Sequence, residues 1–298
     1  MPFIPLQLYR SITKHAEQPT LCTLLLVSRD WHREAERCLY ETIIISPLDP
    51  GPWQFKPRHE LATGRKAMLL ALSQSPHLML HVVNLDLSGL YYQDTSIFPR
   101  PQWTGFMPAI SQGCPNLKCL YLPSQFSRPF VPPTNARFQL RTFGFKSYLR
   151  LNGQSIDHGD FRGVGPFLES QPEIDTLIIP EYIILEPLQP GSLPNLRSIS
   201  APVQACSWLL PSRPVEEVQL SVPVIRESIF DFEGFGQLPH VKRLSLPSPF
   251  ATLFWFADCF GQLESLKLTL VCNYVFLVRA ASELIYIFLS NAGARWTS

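Results

Sequence analysis

Four residues, Asp157-His158-Gly159-Asp160, place an imidazole between carboxylates, which is as near as this chain comes to a general acid–base or metal-binding group. A metal would need a further, distant ligand, and the sequence assigns none; the glycine reads as part of an ordinary polar loop. Cys114 and Cys119 lack the close spacing and the second pair of a zinc module, and Cys119 falls inside an apolar strand pattern. No Gly-rich phosphate loop with its lysine occurs, and no Gly-x-Ser-x-Gly elbow surrounds any serine. Nucleotide hydrolysis and acyl transfer therefore lack a starting point. No catalytic residue, metal ion or cofactor is expected, and the chain reads as a binding protein.

The elements that would carry a binding surface begin at once. Pro5 suits the first position of a helix, and Leu8 and Ile12 recur at helix spacing, so a first helix is predicted from Leu6 to near His15. A second starts at Pro19, where Leu21, Leu24, Leu25 and Val27 form a short segment more apolar than one small helix can hide. Ser28 is the expected N-cap of a third helix, with Trp31, Ala35, Cys38 and Leu39 along one stripe. Ile43, Ile44 and Ile45 then switch the pattern from helix to strand.

This ordered unit resembles an F-box. Family F-boxes open with Leu-Pro-x-Glu-aliphatic and carry Val-Ser/Cys-x-x-Trp before their third helix; here these read Ile4-Pro5-Leu6-Gln7-Leu8 and Val27-Ser28-Arg29-Asp30-Trp31. Ile4 and Gln7 depart from the usual leucine and acid. The longer run from Thr20 to Glu41 is similar to F-box proteins of mushroom-forming fungi. The resemblance implies docking on a Skp-type adaptor of a cullin ubiquitin ligase of the SCF type. It also implies that Pro5, Leu6, Leu8, Ile12, Leu21, Leu24, Leu25, Val27 and Trp31 form the apolar contact set or its support. On that reading the rest of the chain holds a target protein. A protein-interaction scaffold with no ligase role is the alternative.

At 298 residues the chain is long enough for a sizeable core. Its 25 Lys plus Arg against 24 Asp plus Glu leave a formal charge of +1, which creates no general field for nucleic acid or an anionic membrane. Hydrophobic residues at 46% and charged residues at 16% favour folded structure over disorder. The seven cysteines are widely spaced, odd in number and mostly set in apolar segments, as reduced core thiols would be. With no secretory leader pattern at MPFIPLQLYR and no Asn-x-Ser/Thr acceptor, cytoplasm or nucleus is the expected location.

From Val82 onward an aliphatic-x-x-aliphatic-x-aliphatic hexad returns eight times, with first anchors Val82, Leu117, Leu140, Ile174, Leu196, Val215, Val241 and Leu263. The intervals of 35, 23, 34, 22, 19, 26 and 22 residues mostly suit leucine-rich repeats. Prolines bracket several hexads, at 115, 172, 194 and 239 before them and at 123, 180, 202 and 247 after them, which limits each strand to a few residues. The eighth position after each first anchor is never asparagine, so the repeat is irregular. The expected fold is α/β: a three-helix unit, then an irregular leucine-rich-repeat solenoid with short parallel strands and convex helices such as 66–72, 104–110, 161–168 and 250–260.

Because alternate side chains of a strand face outward, the residues beside the second and third anchors are expected on a mixed polar surface. Asp86, Tyr121, Lys146, Gln219, Arg243 and Lys267 are the partner-binding candidates there, with loop aromatics Trp53, Tyr92 and Trp103 as competing anchors. The expected domains are the F-box at 1–46, a Pro-rich linker at 47–63, the solenoid at 64–270 and a terminal helix or truncated repeat at 271–298. Within the apolar run 270–289, Asn273, Arg279 and Glu283 argue against membrane insertion.

Overall fold

A computed structural model describes residues 5–45, 69–89, 100–123, 133–146, 163–180, 183, 186–211, 213–220, 240–247 and 263–269. The Pro-rich stretch 47–63, the Asp157–Asp160 group, segment 250–260, the end 271–298, and Trp53 and Tyr92 lie outside these residues.

The three short helices form where their start signals stand. Helix α1 runs Leu6–His15 after Pro5, α2 runs Gln18–Leu24 with its proline in the first turn, and α3 runs Arg29–Glu41. The Ser28 hydroxyl caps α3 by accepting the Trp31 N–H at 3.4 Å. At Thr42 the backbone turns extended, and β-branched residues carry the chain directly into strand β1, Thr42–Ile44.

The body is one nine-stranded parallel sheet whose spatial order is its chain order. After β1 come helix α4 (Pro76–Met79), β2 (Asn84–Asp86), α5 (Arg100–Gly113), β3 (Cys119–Pro123) and β4 (Thr142–Lys146). Then follow α6 (Val164–Glu169), β5 (Thr176–Ile178), β6 (Ser198–Ala201), α7 (Val203–Leu209), β7 (Glu217–Leu220), β8 (Arg243–Pro247) and β9 (Ser265–Thr269). Residues 69–74 are also helical. Strands β2 to β9 hold the eight hexads in order, and the sheet gains a ninth strand from the isoleucines after α3.

Register explains why the hexad recurs. The middle anchors stand side by side across the whole sheet: Ile43, Leu85, Leu120, Phe143, Leu177, Ile199, Val218, Leu244 and Leu266. All are buried except Leu266, which is partly so. In β3, β6 and β7 the residues between anchors alternate outward and are less buried than the anchors, unlike the two-sided burial usual for parallel strands. The same pattern fits β1, where Tyr40 packs on the core and Ile43 and Ile45 lie within it.

Turns between strands are tied by repeated carbonyls. The carbonyl after a first anchor accepts two N–H groups of the next unit: Val83 from Lys118 and Cys119, Lys118 from Arg141 and Thr142, Asp175 from Arg197 and Ser198. Scattered polar side chains add further ties between successive units. Buried Gln171 accepts the Leu140 N–H at 2.9 Å, and Asn116 and Asn195 donate to the carbonyls of Leu80 and Pro172. Arg213 donates to the carbonyls of Ser192, Trp208 and Leu209, and burial lowers its pKa. Burial pushes the Cys114 and Cys206 thiols up to about 12, so neither is a thiolate near neutral pH.

The helical unit joins the sheet with no break between α3 and β1. The Val83 N–H donates to Glu41 O at 2.9 Å, the Asn84 side chain donates to Thr42 Oγ1 at 2.9 Å, and α3 packs on α4. Among the described residues no helix is long and apolar enough to cross a membrane.

Candidate interaction surfaces

The helical unit has a polar latch and carries several exposed apolar side chains. On its inner side Tyr9 meets Trp31 edge-on with ring centroids 4.6 Å apart, drawing α1 against the first turn of α3. Glu34, only 4% exposed at its side chain, lies 3.5 Å from Arg10 and 3.2 Å from Arg37, so one buried carboxylate ties α1 to α3. The His32 Nδ1–H donates to the Leu25 carbonyl at 2.8 Å and closes the turn between α2 and α3. A cleft of about 470 Å³ beside this latch is lined by Gln7, Arg10, Ser11, Lys14, Arg37 and Glu41.

The nine sequence-selected residues divide by exposure. Leu8 and Ile12, one turn apart on α1, are 51% and 48% exposed, and Val27 is 59% exposed. Pro5 is exposed as well, whereas Leu6, Leu24, Leu25 and Trp31 are half-buried. Leu21 is buried and therefore supports the unit from within. Sequence reasoning passed over Leu26, which at 88% is the most exposed large apolar side chain among the described residues. It lies within a run of four aliphatic residues in which periodicity cannot say which one the turn will expel.

The outward face of the sheet holds the other six. Lys146 reaches back across β3 to Asp86 on β2: its ammonium is 2.9 Å from Asp86 Oδ2 and 3.3 Å from the centroid of the Tyr121 ring. Asp86 Oδ1 also accepts the Ser88 N–H and hydroxyl. Asp86 is consequently buried, its charge committed to the fold, and it supports the surface instead of lining it. Gln219, Arg243 and Lys267 are exposed on β7, β8 and β9, and Arg243 pairs with Glu217 at 3.1 Å.

Gly144 sits between Tyr121 and Ile178 on this face. A Cβ there would stand 2.7 Å from Ile178 Cβ and 3.3 Å from Tyr121 Cδ1, so the two side chains close over a position that tolerates no methyl. Gly144→Ala is expected to cost about 1–3 kcal/mol through overpacking. A lowered urea midpoint at unchanged slope is the measurement that checks it.

Among the described residues no group of three or more His, Cys, Asp or Glu is placed to hold a metal ion. Compared with protein-family models and with curated proteins, the chain matches none.

Proposed function

We propose that this chain is a substrate receptor of an SCF-type cullin ubiquitin ligase. Helices α1 to α3 act as an F-box that docks a Skp-type adaptor, and the sheet acts as an irregular leucine-rich-repeat solenoid that holds a target protein. The observation that carries this reading is the exposure of Leu8, Ile12, Leu26 and Val27 on a unit held together from inside by Glu34, Tyr9 and Trp31. Apolar side chains left outside a latched unit offer a partner surface to bury.

The direct passage of α3 into β1 supports a second part of the reading. A receptor works by proximity, because holding a target near the ubiquitin carrier raises its effective concentration only if the geometry permits both to engage. With β1 hydrogen-bonded into the sheet, the adaptor-facing helices and the target-facing strands move together. Co-expression of the full chain with a Skp-type adaptor tests the proposal. A complex that survives purification and size exclusion is expected; a folded chain that elutes alone returns the chain to the class of ligase-free scaffolds.

A further inference from the structure

The outward face changes character along the sheet. From β3 to β6 its described residues are Cys119, Tyr121, Pro123, Thr142, Gly144, Thr176, Ile178, Ser198 and Ser200, none of them charged; Lys146 alone adds charge and is held by Asp86. From β7 to β9 the corresponding positions are Glu217 and Gln219, Arg243 and Ser245, Ser265 and Lys267. Pairing sets Arg243 beside Ser265 and Ser245 beside Lys267, so two cations and two hydroxyls occupy opposite corners of a square on β8 and β9. Gln219 stands next to Ser245 and adds an amide. Glu217, the one acid of the group, is turned onto Arg243. Arginine has five donors and keeps several after one carboxylate contact.

We infer that this β7–β9 face is a docking surface for an extended acidic segment of a partner protein, with carboxylates two residues apart engaging Arg243 and Lys267. The inference rests on the reading of the sheet as the target-holding face and names the chemistry it selects. Strand spacing of about 4.8 Å and a rise of about 3.3 Å per residue put the Arg243 and Lys267 Cα atoms roughly 8 Å apart. Side chains on one side of an extended segment recur every 6.6–6.8 Å or so, within reach of two long flexible cations. Ser245, Ser265 and Gln219 supply donors between them. A basic segment would set like charges against Arg243 and Lys267, which selects against it.

The test is fluorescence anisotropy of the full chain with a labelled peptide of alternating glutamate and serine. Saturable binding that weakens with salt is expected, and R243A/K267A is expected to weaken it about tenfold through loss of two exposed charge contacts. Lys14→Ala, far away on α1, should leave it unchanged, and circular dichroism should show both variants folded. Equal binding by R243A/K267A, or equal binding of a peptide with lysine for glutamate, overturns the inference. So does binding of a phosphoserine peptide where the glutamate peptide fails, because the surface would then require a dianion. Adaptor capture by the unaltered chain is a separate readout: if it persists while the unaltered chain binds no glutamate peptide, the docking inference alone falls.

Discussion

Replacing Leu8 and Val27 together with aspartate is expected to abolish capture of a Skp-type adaptor while moving the thermal transition of the chain by no more than about 2 °C. Both side chains are roughly half or more exposed, so the folded chain alone loses little apolar burial when they change. A covering partner would bury them, and each substitution then removes about 1.5–3 kcal/mol of favourable burial and places a carboxylate where water is excluded. A joint loss above about 4 kcal/mol is roughly a thousandfold in affinity, enough to remove the complex from a pull-down. Leu21→Asp is the contrasting variant. Because Leu21 is buried, it should lower the melting temperature and adaptor capture together, separating support from contact. If L8D/V27D binds like the unaltered chain, the adaptor-docking reading is wrong.

Phe143→Ala is expected to be the most damaging single truncation in the sheet, costing about 3–5 kcal/mol. Phe143 is fully buried within the anchor row, with Phe145 and Phe167 each 5.2 Å away edge-on. No neighbour on the rigid β3 and β5 strands can move in to fill the void, since Leu120 and Leu177 are held in register on either side. Urea unfolding followed by tryptophan fluorescence measures the loss. It also tests coupling: Trp31 lies in the helical unit on α3 and Trp208 on α7 behind the sheet, and a single transition is expected because β1 is part of the sheet. Two separated transitions would mean that the helices and the strands unfold independently.

Much of this architecture was legible because it repeats. A buried parallel strand needs inward apolar side chains at fixed spacing, so each hexad announces its strand, and the helix starts are marked by Pro5, Pro19 and Ser28, whose chemistry acts over one turn. The strand at Thr42–Ile44 was foreseen from three isoleucines, but not its place as the first member of the sheet. Its first anchor is Tyr40, inside a helix, which breaks the aliphatic pattern. The candidate sites were less legible. Outward positions follow from alternation, yet nothing local says that Lys146 bends back onto Tyr121 and Asp86, since that contact joins residues 60 apart in the chain.

Acting alone, the sequence determined which of the described residues form strands, which face of each strand is apolar and where the three N-terminal helices begin. These are matters of local propensity and period, settled within one or two turns of chain. Only the tertiary structure decided that α3 runs without pause into the sheet, that Asp86 is spent internally while Arg243 and Lys267 stay outside, and that Leu26 and Val27 are exposed while Leu21 is not. Each of those outcomes depends on which distant residues arrive alongside, and on the register that fixes their approach to within a side chain's reach.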